Sequence, residues 1–132
     1  MKEFKFKENK AKTLRVIIEG NEFSFVPNTY AVQNAIQFYQ KRSNFIRNKY
    51  SKKTDQKNIS QRNLEYIDLC SSTVNAILGK GSYKKIFENR PVDIEENDSV
   101  LNYIFENITE FCQKEIEKAN AEHTDHKTSG IN

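Results

Sequence analysis

The sequence predicts a mainly α-helical α+β domain, in which an N-terminal β-hairpin is followed by three principal helices and one short helical turn. Only one stretch of the chain alternates apolar and polar residues on both sides of a glycine, as a hairpin does. Three longer stretches carry apolar residues at three- and four-residue spacing, which is typical of amphipathic helices. The 132 residues include only two Pro and four Gly, so few positions interrupt a helix.

The predicted hairpin spans residues 13–26. We place its turn at Gly20 and Asn21, because glycine at the first central position suits a type II′ turn. This turn implies two apolar cross-strand pairs, Ile18 with Phe23 and Val16 with Phe25. The alternation puts five apolar side chains on one face, namely Leu14, Val16, Ile18, Phe23 and Phe25. A lone two-stranded sheet is marginal in water, so we expect the first and last of the principal helices to cover this face.

The first two principal helices are separated by a basic loop. Apolar residues at helical spacing predict the first helix over residues 29–50, and Asn28 is a suitable N-cap. Residues 51–57 show no periodicity and form the loop. The second helix is predicted over residues 60–78, and Gly79 stands where a C′ glycine commonly ends a helix.

The short helical turn is predicted over residues 82–88, after a tight break. The last principal helix is predicted over residues 99–118, with Asp98 as its N-cap, and it has the cleanest amphipathic pattern in the chain. After it, the sequence is polar and has a single large apolar residue. The chain thus divides into three parts: a flexible arm at 1–11, a single domain at 12–118 and a disordered tail at 119–132.

Charge is distributed unevenly, although the net charge is only +3. Residues 41–62 contain eight basic and one acidic residue, whereas residues 92–122 contain nine acidic and two basic residues. We call these the basic block and the acidic block. Opposed blocks of this kind attract each other, either within one fold or between copies of the protein.

Several functional classes lack the residues they need. No apolar run approaches the ~20 residues of a membrane span, and no signal-peptide pattern precedes the hairpin. Cys70 and Cys112 lack metal-ligand spacing, and we expect free thiols in a reducing cytoplasm. His123 and His126 are the only histidines and lie in the polar tail. We therefore expect no enzyme activity, no cofactor and no metal.

The basic block leaves one alternative open. Clusters of Lys and Arg bind phosphate backbones, so the chain is alternatively a small nucleic-acid-binding regulator that uses residues 41–62. No helix-turn-helix, zinc-finger or RNA-binding signature accompanies the cluster. An acidic protein surface is an equally good partner, and nucleic acid is not the partner we favour.

The order of the elements and two short motifs point to a family. The hairpin closes in a Pro-Asn-Thr-Tyr helix start at residues 27–30. The second helix ends in a glycine-containing break and a Lys-Ile-Phe sequence within residues 77–88, and an acidic stretch and a final amphipathic helix follow. Over residues 14–116, the chain resembles the small tail assembly chaperones and related tail-region proteins of long-tailed phages (siphophages) and prophages of Gram-positive bacteria.

This resemblance implies a non-enzymatic role in the cytoplasm of a bacterial host. Such chaperones coat the tape measure protein before the tail tube polymerises around it, and they self-associate into spirals. The expected partners are therefore the tape measure protein, tail tube proteins and further copies of the chain. Opposed charge blocks fit a head-to-tail contact between copies, and contacts of that kind produce open helices.

Three surfaces are candidates for binding a partner. On the outer face of the hairpin, the candidate residues are Arg15, Ile17 and Val26. We also expect an exposed edge on each strand, which is a template for strand addition by a partner. In the basic block they are Lys49, Lys52, Lys53 and Lys57. In the acidic block they are Glu95, Glu96, Glu106 and Glu110.

Overall fold

A two-stranded antiparallel hairpin begins the fold and four helices follow it, which confirms the mainly α-helical α+β class. The computed structural model describes residues 2–6 and 12–131, with side chains through residue 122. The strands are β1 (Leu14–Ile18) and β2 (Asn21–Phe25). The helices are α1 (Tyr30–Lys49), α2 (Gln56–Leu78), α3 (Ser82–Ile86) and α4 (Ile94–Ile131).

The hairpin turns one residue earlier than the sequence predicts. Glu19 and Gly20 both have positive φ, at 51° and 76°, as a type I′ turn requires, and Asn21 already belongs to β2. Val16 therefore pairs with Phe23 and Leu14 with Phe25, so the predicted pairing was wrong. The two registers differ by two residues, and side chains alternate with a period of two. Each side chain consequently keeps its predicted face, and the apolar face is the buried one.

The apolar face of the hairpin is covered by α4 and α2. β1 contacts α4, β2 contacts α2, and α2 also contacts each of the other helices. Val16 at 1%, Leu101 at 1% and Ile104 at 0% exposure belong to the same apolar core. The last principal helix was rightly expected on the hairpin, but α1 packs chiefly on α2. A smaller cluster between the last part of α1 and the middle of α2 consists of Ile46, Tyr50 and Leu69.

The first two helices begin at other residues than predicted. Thr29 caps α1: its Oγ1 accepts a hydrogen bond from the Val32 N–H at 3.4 Å and donates to the Val26 carbonyl at 3.1 Å. Asn28 lies one residue too early for that role. α2 begins at Gln56, earlier than predicted. The periodicity did not indicate this start, because the first turn is mostly polar and adds little to the apolar pattern.

The last helix is longer than predicted at both ends. The Asp93 carboxylate accepts from the Glu96 N–H at 3.1 Å, so Asp93 takes the capping role assigned to Asp98. α4 continues to Ile131, where the sequence predicted a disordered tail. No proline interrupts it after Ile94, and its Glu, Lys and Ala residues favour a helix.

The predicted N-terminal arm lies largely outside the described residues, which omit residues 1 and 7–11. Residues 2–6 have no regular structure, and Phe4 and Phe6 are exposed. Among the described residues, no helix is both long and apolar enough to cross a membrane.

If α4 holds the hairpin, truncating a core residue of α4 will destabilise the whole fold. Leu101→Ala removes a side chain that is 1% exposed, and we expect it to lower the free energy of unfolding by about 2–5 kcal/mol. Leu64→Ala is the matched control, because Leu64 is 62% exposed and its loss is expected to cost less than about 0.5 kcal/mol. Urea unfolding followed by circular dichroism measures both, and equal midpoints would contradict this packing.

Candidate functional site

The far half of α4 extends beyond the protein core. Ile108, at 4% exposure, is the last buried residue of the helix whose side chain is described. One side of α4 carries four residues that we call the α4 strip: Phe105, Thr109, Cys112 and Ile116. Phe105 and Cys112 are half-buried against the core, and Ile116, beyond Ile108, is 54% exposed. Burying apolar surface of this kind under another protein lowers the free energy of the system.

A shallow groove runs beside the α4 strip and carries acidic side chains. Its walls come from α4 alone and include Phe105 and Thr109 of the strip. Glu106 and Glu110, two of the predicted partner-binding residues, lie in this groove together with Glu117. Glu110 pairs with Lys114 at 3.1 Å, one turn further along. The groove thus joins exposed apolar area to negative charge, and basic helices bind surfaces of that composition.

A second concave region lies where α1, α2 and α4 meet, and we call it the inter-helix cleft. The hydroxyl oxygens of Tyr39 and Tyr66 are 2.7 Å apart, and Tyr66 donates to Asp98. Because Tyr66 gives its proton to Asp98, Tyr39 is the donor to Tyr66. Burial raises the pKa of both phenols above the ordinary value, so they stay protonated over the physiological range. The hydrogen bonds of the three groups therefore tie three helices together.

Two arginines line the inter-helix cleft together with Asp98. Arg47 of α1 and Arg62 of α2 both line the cleft, whose volume is about 490 Å³. Their hydrogen bonds go to neutral groups, the amide oxygens of Asn44 at 3.4 Å and Asn63 at 3.3 Å. Neither arginine has a carboxylate within ion-pair distance in the described part of the chain.

Sequence reasoning missed this cleft. Tyr39 lies in the predicted apolar stripe of the first helix, and Asp98 was assigned to a helix cap. The signal was present, because a tyrosine on a buried face needs a partner for its hydroxyl. The identity of that partner depends on how α1, α2 and α4 pack against one another. The sequence around each residue does not indicate this packing.

The other buried polar groups have structural roles. Asn97, at 1% exposure, accepts from the Tyr83 hydroxyl at 2.8 Å and donates to the Asp93 carbonyl at 2.8 Å, which joins α3 to α4. Burial raises the pKa of the Cys70 thiol to about 12, so this cysteine is an inert core residue. The side chains of His123 and His126 lie outside the described residues.

The hairpin residues proposed for partner binding are partly engaged within the chain. Arg15 is exposed and lies 3.8 Å from Glu22 on the outer face. Ile17 is 63% exposed, but its backbone N–H donates to the Tyr103 hydroxyl of α4 at 3.4 Å. Val26 is half-buried just after β2. The expectation of an open edge on each strand therefore needs correction for β1, because α4 occupies that edge at Ile17.

The lysines of the basic block divide into two groups. Lys49 pairs with Glu65 at 2.9 Å, and this contact lowers the pKa of the Glu65 carboxyl. Lys53 lies 5.9 Å from the centre of the Tyr50 ring. Lys52 and Lys57 are exposed and have no ion-pair partner among the described residues. Because Lys49 pairs with Glu65, it links α1 to α2 and is already engaged within the chain. Lys52 and Lys57 are therefore the better candidates for contact with a partner.

The acidic residues at the start of α4 are likewise divided. Glu96 pairs with Arg90 at 2.8 Å, and Glu95 is exposed. None of the ion pairs within the described residues joins the basic block to the acidic block. The two blocks thus approach each other inside the described part of the chain without an ion pair, since Asp98 lines the same cleft as Arg47 and Arg62.

Comparison with known proteins returns no relative. No protein-family model matches the chain, and neither does any curated protein or solved structure that was searched. Within the described residues, no group of three or more His, Cys, Asp or Glu side chains is arranged to hold a metal ion.

Removing the hydroxyl that links the three helices will test the tyrosine network. Tyr66→Phe leaves Tyr39 and Asp98 without their shared partner, and we expect a loss of about 1–3 kcal/mol in the free energy of unfolding. The control is Tyr30→Phe, because Tyr30 is 85% exposed. Thermal and urea unfolding of both variants measure the difference. A Tyr66→Phe protein as stable as the control would show that the network does not hold the helices.

Proposed function

We propose that this protein is a non-enzymatic adaptor of the phage tail assembly chaperone type, which holds another protein through the α4 strip. The observation that carries the proposal is that the apolar side of α4 runs on from half-buried Phe105 and Cys112 to exposed Ile116. A second protein would cover the exposed part of this strip, where Ile116 is 54% exposed. The resemblance to tail assembly chaperones supplies the expected partner, the tape measure protein, in the cytoplasm of a bacterial host.

Helix-in-groove binding is the proposed mechanism. An amphipathic helix of the partner lies along α4, with its apolar residues on Phe105 and Ile116. Glu106, Glu110 and Glu117 flank that contact and favour a partner with Lys or Arg at the edge of its apolar face. One helix face buries little area, so the complex is readily reversible, as a chaperone that must give way to the tail tube requires.

Self-association follows from the same proposal. The basic block and the acidic block have no ion pair with each other in the described part of one chain. Contact between the basic block of one copy and the acidic block of the next satisfies both. Such a contact is head-to-tail, and successive copies would follow the partner along its length.

A nucleic-acid-binding regulator is the second candidate. Arg47, Lys52, Lys57 and Arg62 lack an acidic partner among the described residues, and unpaired cations favour phosphate binding. The acidic α4 groove has no part in that function, which is why we place it second.

Co-expression with the tape measure protein encoded in the same phage genome tests the proposal. We expect the wild-type chain to keep the tape measure protein soluble and to co-purify with it. Ile116→Asp puts a charge on the most exposed apolar residue of the α4 strip and is expected to weaken the purified complex at least about tenfold. Leu64→Asp is the control, because it makes a similar change at an exposed site on α2 and is expected to bind as the wild type does.

Three results would contradict this account. The first is a wild-type chain that does not bind the tape measure protein. The second is equal binding by Ile116→Asp and Leu64→Asp, which would exclude the α4 strip. The third is a salt-dependent shift of duplex DNA that Lys52→Gln/Lys57→Gln abolishes, which would favour the nucleic-acid-binding regulator.

A further inference from the structure

We propose that the inter-helix cleft binds an acidic peptide segment of the protein partner, with side-chain carboxylates on Arg47 and Arg62. The inference rests on the proposed function in taking the partner to be a protein. It assigns a second binding site, separate from the α4 strip, and it defines the chemistry of the segment that binds there.

The first support is that neither Arg47 nor Arg62 has an acidic partner in the described part of the chain. Some cations of the chain have acidic partners, as Lys49 has Glu65 at 2.9 Å and Arg90 has Glu96 at 2.8 Å. Others, such as the exposed Lys52 and Lys57, have none among the described residues and do not line the inter-helix cleft. Arg47 and Arg62 come from different helices, line the same cleft and bond only to amide oxygens in the described part of the chain. Guanidinium groups bind carboxylates with two parallel hydrogen bonds. The cleft therefore presents two unsatisfied sites for acidic side chains.

The second support is the wall opposite the arginines. Asp98 and Asn102 of α4 line the cleft, and Asp98 receives a hydrogen bond from Tyr66 on one of its two oxygens. The other oxygen and the Asn102 amide are able to accept backbone N–H groups of a peptide. A DNA backbone offers no hydrogen-bond donor to this wall, whereas a peptide backbone offers its N–H groups. The mixed character of the cleft thus favours an acidic peptide over nucleic acid.

Size and position agree with this assignment. A volume of about 490 Å³ lies in the usual range of ligand clefts, roughly 300–1,000 Å³. Asn102 lines both the cleft and the α4 groove, so the two sites adjoin. A partner that places basic residues beside Glu106 and Glu110 would therefore place its acidic segment in the cleft. The pair of sites would fix the direction in which the partner lies along α4.

A synthetic probe tests the cleft without the natural partner. The probe is a fluorescein-labelled peptide of alternating glutamate and alanine, and its control is the same peptide with glutamine. Fluorescence anisotropy with the full chain at near-physiological salt is expected to show binding of the glutamate peptide only. Arg47→Gln/Arg62→Gln is expected to weaken this binding at least about tenfold. Arg47→Lys/Arg62→Lys keeps the charge and is expected to lie in between, because lysine lacks the planar fork.

The matched control removes the same charge from outside the cleft. Lys52→Gln/Lys57→Gln changes two exposed lysines that do not line the cleft, and we expect less than about a threefold loss. Circular dichroism melts establish that both variants are folded. Equal losses in the two variants would overturn the inference, since general surface charge would then explain binding.

Other occupants of the cleft would be recognised in the same assay. Single-stranded DNA that displaces the glutamate peptide more effectively than unlabelled peptide does would overturn the inference in favour of nucleic acid. Self-association that only the arginine variants abolish, without peptide binding, would identify a second copy as the occupant. Ile116→Asp is expected to retain full peptide binding. A wild-type chain that binds the tape measure protein but not the peptide would overturn this inference and leave the proposed function standing.

Discussion

The contact between α4 and the hairpin is the interaction on which the remaining structure depends. Two strands alone do not bury enough surface to stay folded in water, so the apolar face of β1 and β2 needs a cover. α4 contacts β1, α2 contacts β2, and Val16, Leu101 and Ile104 lie in one buried cluster. The Tyr103 hydroxyl adds a hydrogen bond to the outer edge of β1. One helix thereby fixes the sheet and closes part of its edge.

This contact also explains why the binding surfaces lie where they do. Ile108 is the last buried residue of α4 whose side chain is described, and the α4 strip runs from half-buried Phe105 and Cys112 to exposed Ile116. Where α4 first meets α1 and α2, the network of Tyr39, Tyr66 and Asp98 holds the helices around the inter-helix cleft. One proposed partner site is thus the side of α4 that runs past the hairpin, and the other is the cleft that α4 forms with α1 and α2.

The amino-acid sequence predicts features that local pattern determines. Alternation assigns the buried face of the hairpin correctly even under the wrong register, because an error of two residues does not exchange the faces. The choice of turn was missed because Glu19 takes a positive φ, which is uncommon for residues other than glycine. The start of α4 was missed because Asp93 and Asp98 are both suitable caps by residue type. The inter-helix cleft depends on contacts between residues far apart in the chain, such as Tyr66 and Asp98, which no periodicity reveals.

Amide hydrogen exchange measured by NMR on the isolated chain tests the central claim most directly, namely that α4 holds the hairpin with its near half and leaves its far half uncovered. The account predicts that the amides of Val16 and Ile104 exchange only through global unfolding and share one free energy of opening. The amide of Ile116 is expected to exchange at least about a hundredfold faster. A Val16 amide that exchanges far faster than that of Ile104, or an Ile116 amide as protected as both, would contradict it.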